Sequence, residues 1–416
     1  MSNQVKNRFF YGYWIVLVGF IVCALYSGLS FYAYSVLNKP IGDDFNWSRS
    51  QVTAAFLVYS VTLAIASFGA GRLTDKHGPR RVLLIGTFVM ALTLLLLSWT
   101  SALWNFLLLH LCLGIGAALM GPIAVSFNIA SWFYRLRGTM QGIAFTGIGL
   151  GGVAVAPMLG NFLIPTVGWR GAYLVMGCLL LVIMLPFILF VVKDRPQQKG
   201  LSPYGWEADE VKDGSSPETE KESGLSFKES MATVTFWIIV LTAAFYGMGM
   251  TAAIHNQVSI LTEQRFTAGE AVAAISAVAF FSAVGKLLFG YLCDRTDPKY
   301  AVAISYFLVA GSLMAMVQAT SMVHVWVYAA LIGVGMGGWA PNLAMLALSY
   351  FGLKHFGSVL GGFHLFFLGG EAFGPLIAGF FFDQTGSYRM ILMVFMGLCL
   401  AAIPFIVSIR RPRMMR

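Results

Sequence analysis

Four ionisable side chains, His255, Lys286, His364 and Glu371, stand inside runs otherwise free of Asp, Glu, Lys and Arg. An ammonium in an apolar run attracts an anion: a buried charge costs roughly 3 kcal/mol or more and is kept for a partner or a task. A carboxyl in hydrocarbon surroundings favours its neutral form, so it can load and release a proton near neutral pH. An imidazole can do either, or fill a core position. Glu371 and His364 are seven residues apart, two turns along one helical face. Lys286 stands eight residues before Asp294, with Ser282 one turn away on the same face. Asn256, Asn128 and Tyr34 add hydrogen-bonding groups that could wall a polar site. This chemistry is binding and proton carriage. No nucleotide loop, metal-ligand spacing or Ser-His-Asp arrangement occurs, so neither an enzyme nor a cofactor is expected.

The elements that hold these residues must cross a membrane. Of 416 residues, 58% are hydrophobic and 11% charged, and the mean hydropathy is +0.76. Soluble chains carry roughly 25% charged residues. The segments 9–38, 50–71, 82–134, 138–169, 171–192, 230–262, 301–353 and 390–409 contain no Asp, Glu, Lys or Arg. A helical span needs about 20 apolar residues, so the longest segments hold two. A soluble enzyme, a nucleic-acid binder and a disulfide-rich secreted domain are excluded. Cys23, Cys112, Cys178, Cys293 and Cys399 have no metal spacing and read as small hydrophobes. Turn residues divide the blocks into twelve predicted helices: 11–37, 50–72, 81–99, 102–133, 138–165, 169–192, 232–260, 269–293, 299–320, 323–351, 356–382 and 387–409.

The net charge of +9 is distributed by topology. Arg72, Lys76, Arg80 and Arg81 follow the second span, Arg135 and Arg137 the fourth, and Lys193 and Arg195 the sixth. Arg295 and Lys299 follow the eighth, Lys354 the tenth, and Arg410, Arg411, Arg413 and Arg416 the twelfth. Alternate loops carry few basic residues, which puts both termini in the cytoplasm and the chain in a plasma membrane, the inner membrane if bacterial. The polar stretch 193–229, with Asp209, Glu210, Asp213, Glu218, Glu220 and Glu222, reads as a poorly ordered cytoplasmic linker. It separates an N-terminal six-helix bundle, 1–192, from a C-terminal one, 230–416. The uncharged block 82–134 returns at equal length as 301–353, displaced by 219 residues. That displacement also carries Asp75 onto Asp294, Gly138 onto Gly357, Gly142 onto Gly361 and Arg170 onto Arg389. A six-helix unit has been duplicated, the plan of carriers with a midplane site between two halves. Lys286 falls on Ser67 of the first copy and Glu371 on Gly152 or Val153, so the repeat scaffold does not require them.

The loop Gly71-Arg72-Leu73-Thr74-Asp75-Lys76-His77-Gly78-Pro79-Arg80-Arg81, its degenerate copy Gly290-Tyr291-Leu292-Cys293-Asp294-Arg295, and the Gly- and Pro-rich fifth and eleventh helices resemble the major facilitator superfamily. The resemblance covers the whole chain. It implies a secondary transporter that functions as a monomer in the lipid bilayer, with Gly71, Asp75, Arg80, Asp294 and Arg295 forming a gate between the halves. Tyr11-Gly12-Tyr13-Trp14, Trp132-Phe133, Arg137-Gly138, Gly168-Trp169-Arg170 and Gly200-Leu201-Ser202-Pro203-Tyr204-Gly205 are most similar to the monocarboxylate and oxalate–formate branch. In that branch the place of Lys286 holds an arginine that binds the substrate carboxylate. Lysine keeps the charge but not the bidentate fork. His255 resembles the branch's seventh-helix histidine. The expectation is therefore a proton-coupled carrier of a small organic anion, a monocarboxylate foremost. Lys286, His255, Asn256, Asn128 and Tyr34 would bind it, and Glu371 or His255 would carry the proton. An exporter of amphipathic drugs or siderophore-like compounds is the alternative, since a lone glutamate among aromatic and Met side chains suits a cation.

Overall fold

A computed structural model describes residues 10–206 and 224–412. The acidic linker residues named above, and Arg413 and Arg416, lie outside the described residues. Hydrocarbon offers no partner to backbone N–H and C=O groups, so a spanning chain must satisfy them inside helices. The chain does so throughout. Its helices are α1 (Gly12–Phe45), α2 (Arg49–His77), α3 (Pro79–Leu97), α4 (Leu103–Trp132), α5 (137–167), α6 (169–191), α7 (234–263), α8 (Ala268–Arg295), α9 (Pro298–Val317), α10 (Met322–Phe351), α11 (Phe356–Thr385) and α12 (Arg389–Ser408). The apolar stretch Arg137–Val191 is 55 residues long and becomes two passes at Gly168, whose φ of 70° breaks the helix. Helix α1 outruns its predicted end at 37, passing Pro40 to stop at Asn46 in the left-handed region.

Local sequence sets most boundaries. Ser48 with Gln51, and Thr267 with Glu270, form capping boxes at the starts of α2 and α8. Pro79 and Pro298 open α3 and α9 at a position where a missing N–H costs nothing. The buried side chains form separate cores for the two halves. Few buried residues cross over: Ala340 joins the N-terminal core, and Ile123 and Ala130 join the C-terminal one.

The described ends of the linker are ordered and packed, contrary to the expectation for 193–229. Tyr204 accepts from Tyr134 N–H and donates its own N–H to Trp132, and its ring lies 5.4 Å from Phe10 and 5.8 Å from Phe133. Tyr11 donates to the Val191 carbonyl at 2.8 Å, and its ring lies tilted 5.4 Å from that of Trp132. Three of the branch-like sequence features are thus one aromatic plug beneath α1. Beyond the undescribed stretch, Ser226 caps a short helix, Phe227–Met231. Hydrogen bonds from Ser226 hold the Glu229 carboxyl below its ordinary pKa. Phe227 packs 4.5 Å from Phe68 of α2 and 5.7 Å from Phe236 of α7, bridging the bundles. All these contacts lie on one face of the molecule, here the linker face.

Candidate functional site

At the linker face the two bundles are joined by a pair of related clamps. The Asp75 carboxylate, at the end of α2, accepts from the N–H groups of Gly357 and Ser358 at 2.7 Å each, and from the Ser358 hydroxyl at 2.5 Å. The Asp294 carboxylate, at the end of α8, accepts from Gly138 and Thr139 N–H at 2.7 Å and from the Thr139 hydroxyl at 2.6 Å. Each carboxylate therefore caps the N-terminus of a helix in the other bundle, where unpaired N–H groups and the helix dipole favour negative charge. The 219-residue displacement maps one clamp onto the other atom for atom, hydroxyl included. Gly71 and Gly357 make the approach: a Cβ on Gly71 would run into the Gly357 carbonyl, and one on Gly357 would stand 2.8 Å from the Asp75 carboxylate. A further side-chain hydrogen bond between the bundles joins Gln141 to the Met345 sulfur at 4.0 Å.

Two expected gate residues stand elsewhere. Arg80 donates to the Ile188 and Leu189 carbonyls at the end of α6, and its N–H donates to Asp194, all within its own half. Arg295 lies exposed beside the ring of Tyr291 on its own helix. The motif's carboxylates clamp; these arginines do not.

Lys286 is 2% exposed. Its ammonium donates to the Ser282 hydroxyl at 2.7 Å, so the expected polar stripe is a bonded pair. Across the bundle interface its electrostatic neighbour is the Cys23 thiol of α1. Among the described residues no carboxylate forms an ion pair with it; the one such pair is Arg170 with Asp44, 2.7 Å apart, at the far face. Glu371 stands apart from Lys286. It packs beside Gly247 of α7, with Tyr26 and Tyr246 as its electrostatic neighbours. Its backbone carbonyl accepts from the Thr251 hydroxyl at 2.9 Å, and no hydrogen bond to its carboxylate occurs among the described residues.

Between the bundles lies a cavity of about 10 Å³, enough for one water-sized oxygen. Tyr26, Ser67, Pro122, Trp339, His364 and Leu368 are among its walls, so five helices contribute. His364 faces it, with the Trp339 ring 5.5 Å away.

The other expected site residues scatter. Asn128 is 3% exposed, and its side-chain oxygen has no partner. Tyr34 donates to the Val52 carbonyl at 3.1 Å and stacks on Phe56, tying α1 to α2. Asn256 donates to Ala252 and accepts from Tyr388 at 3.4 Å, tying α7 to α12. His255, next to it, is exposed and makes no hydrogen bond among the described residues. Tyr26 and Trp339 were missed by sequence reasoning. A lone aromatic ring in an apolar run looks like core, and nothing in the local sequence singles it out.

A family model described as the Major Facilitator Superfamily matches residues 20–361 and 238–415. The chain belongs to that superfamily. It is a membrane transporter, not an enzyme, and distant relatives span nearly its whole length. The uncharacterized MFS-type transporter YhjX of Escherichia coli is 25% identical, over 87% of this chain and 86% of its own. The human monocarboxylate transporter 2 is 25% identical, over 91% and 81%. The oxalate:formate antiporter of Oxalobacter formigenes is 24% identical, over 83% and 77%. Among solved structures, the proton:xylose symporter XylE superposes with a TM-score of 0.75 at 15% identity, covering 96% of this chain and 95% of that one. That likeness speaks for the fold alone.

Proposed function

We propose that this transporter carries small organic anions, monocarboxylates foremost, by alternating access coupled to protons. Lys286 carries the reading. A lysine buried at the junction of two bundles, bonded among the described residues only to a neutral hydroxyl and a backbone carbonyl, is an expensive arrangement that a visiting anion would offset. The relatives named for monocarboxylate and for oxalate and formate support the same substrate class. Glu371 supplies the proton site: a carboxyl without a basic partner binds a proton rather than a counter-ion. The basic loops favour a cytoplasmic linker face in a plasma membrane, and on that orientation the clamps close the cytoplasmic side.

The test is uptake of labelled monocarboxylates into proteoliposomes containing the full chain. Lys286→Gln removes the charge at nearly constant size and should lower uptake at least about a hundredfold, as for losing an ionic hydrogen bond inside a closed site. Unimpaired uptake by a properly inserted variant would defeat the proposal and favour amphipathic export.

A further inference from the structure

Helix α4 does not run unbroken through its bundle. Gly121 is extended (φ −79°, ψ −168°), and Pro122 starts a new helix of 11 residues that ends at Trp132. Glycine is required there, because a Cβ would stand 2.7 Å from the Ala117 carbonyl oxygen. Pro122 has no N–H, and no backbone hydrogen bond joins the two halves of α4 among the described residues. The N–H groups of Ile123 and Ala124 are left without carbonyl partners, at the positive end of a helix dipole. The C-terminal bundle lacks this feature. At Gly338 the chain stays helical (φ −74°, ψ −21°), and Asn342 N–H still reaches the Gly338 carbonyl at 3.0 Å.

A second, independent observation meets this helix end in the central cavity. Pro122 and Ile123 line the cavity together with His364. His364 is 4% exposed, and its ring makes no hydrogen bond among the described residues. Under the 219-residue duplication its counterpart is Phe145, so packing alone is met by a hydrocarbon ring. An imidazole donor and a free helix N-terminus therefore converge on a space that holds one oxygen.

Lys286 stands beside this wall: under the 219-residue displacement it takes the place of Ser67, which lines the cavity. Its neighbour Cys23 is three residues before Tyr26 of the cavity wall. Gly337, on which a Cβ would stand 2.6 Å from the Lys286 backbone nitrogen, is two residues before Trp339.

Building on the organic-anion reading, we infer that the cavity is a second substrate subsite. The substrate is a bifunctional organic anion: one carboxylate turns toward Lys286, and a second acceptor oxygen is received by His364 and the N-terminus of the second half of α4. The small cavity takes the end of the molecule, not the whole.

The experiment compares binding of propionate and succinate to the purified full chain in lipid nanodiscs. The wild type should bind succinate about tenfold more tightly, as expected for one additional hydrogen bond to a charged oxygen. His364→Ala should abolish that preference, His364→Gln, which retains an N–H donor, should keep most of it, and Lys286→Gln should weaken both ligands. If His364→Ala does not fold, His364→Phe, which copies the Phe145 position, takes its place. A wild type without the preference, or a His364→Ala or →Phe protein that keeps it, overturns the second subsite and leaves the organic-anion reading standing. A wild type that binds neither compound overturns both.

Discussion

Glu371 and Lys286 occupy different surroundings, and that separation divides their work. In the proposed reading the ammonium bonded to Ser282 at 2.7 Å receives the anion, whereas Glu371, among Tyr26, Tyr246 and the backbone of α7 and with no cation beside it among the described residues, takes the proton. Removing the titratable group at 371 should therefore uncouple transport without ending substrate binding. In proteoliposomes, Glu371→Gln should lose accumulation driven by a pH gradient while keeping substrate counterflow within about threefold of the wild type. Accumulation that survives the substitution would move the proton site elsewhere, with His255 the next to test. Both residues were legible in the sequence, because an ionisable group in a charge-free run announces itself through its cost. Their surroundings were not. The sequence alone could not show that Tyr26, Trp339 and Leu368, from three different helices, wall one cavity.

At the scale of elements, the Gly-rich helices α5 and α11 divide their labour along their length. Near the linker face Gly138 and Gly142 of α5 meet α8, and Gly357 and Gly361 of α11 meet α2, in the opposite bundle. Farther along, Gly147 and Gly151 meet α1, and Gly370 and Gly374 meet α7, each in their own bundle. The sequence displayed the glycines and their repeat, yet packing within a bundle and motion between bundles predict the same residues. Only the contacts separate the two roles. The same holds for the carboxylates: the 219-residue displacement paired Asp75 with Asp294, while the acceptance of helix N-termini, in preference to the adjacent arginines, needed coordinates. Each clamp supplies three hydrogen bonds to a charged acceptor, at about 1.5–3 kcal/mol apiece. In an otherwise cysteine-free chain, Cys293 is 4% exposed beside the Asp294 clamp and reports on it. Asp75→Asn combined with Asp294→Asn should raise its rate of alkylation from the linker face at least about tenfold. An unchanged rate would mean that the clamps do not hold this face shut. Phe227→Ala, which removes the bridge between Phe68 and Phe236, should act in the same direction with a smaller effect.

The whole molecule follows from a duplicated unit whose two copies have diverged where chemistry is needed. The fold was readable in full because a bilayer leaves few choices: apolar length gives the spans, and the repeat gives two bundles. The linker was the weakest reading. Its composition looks solvated throughout, yet Tyr204, Leu225 and Phe227 dock on the bundles through contacts that no local pattern encodes. The proposed substrate class rests on the divergence between the copies. Lys286, His364 and Glu371 all belong to the second copy, facing Ser67, Phe145 and Gly152 of the first. The most direct test is the thermal unfolding of the purified chain in the presence of small carboxylates and, separately, of amphipathic cations, because a ligand stabilises the state it binds. The account predicts that carboxylates raise the midpoint of the wild type but not of Lys286→Gln, and that the cations leave it unmoved. Stabilisation by amphipathic cations, with carboxylates without effect, would contradict it.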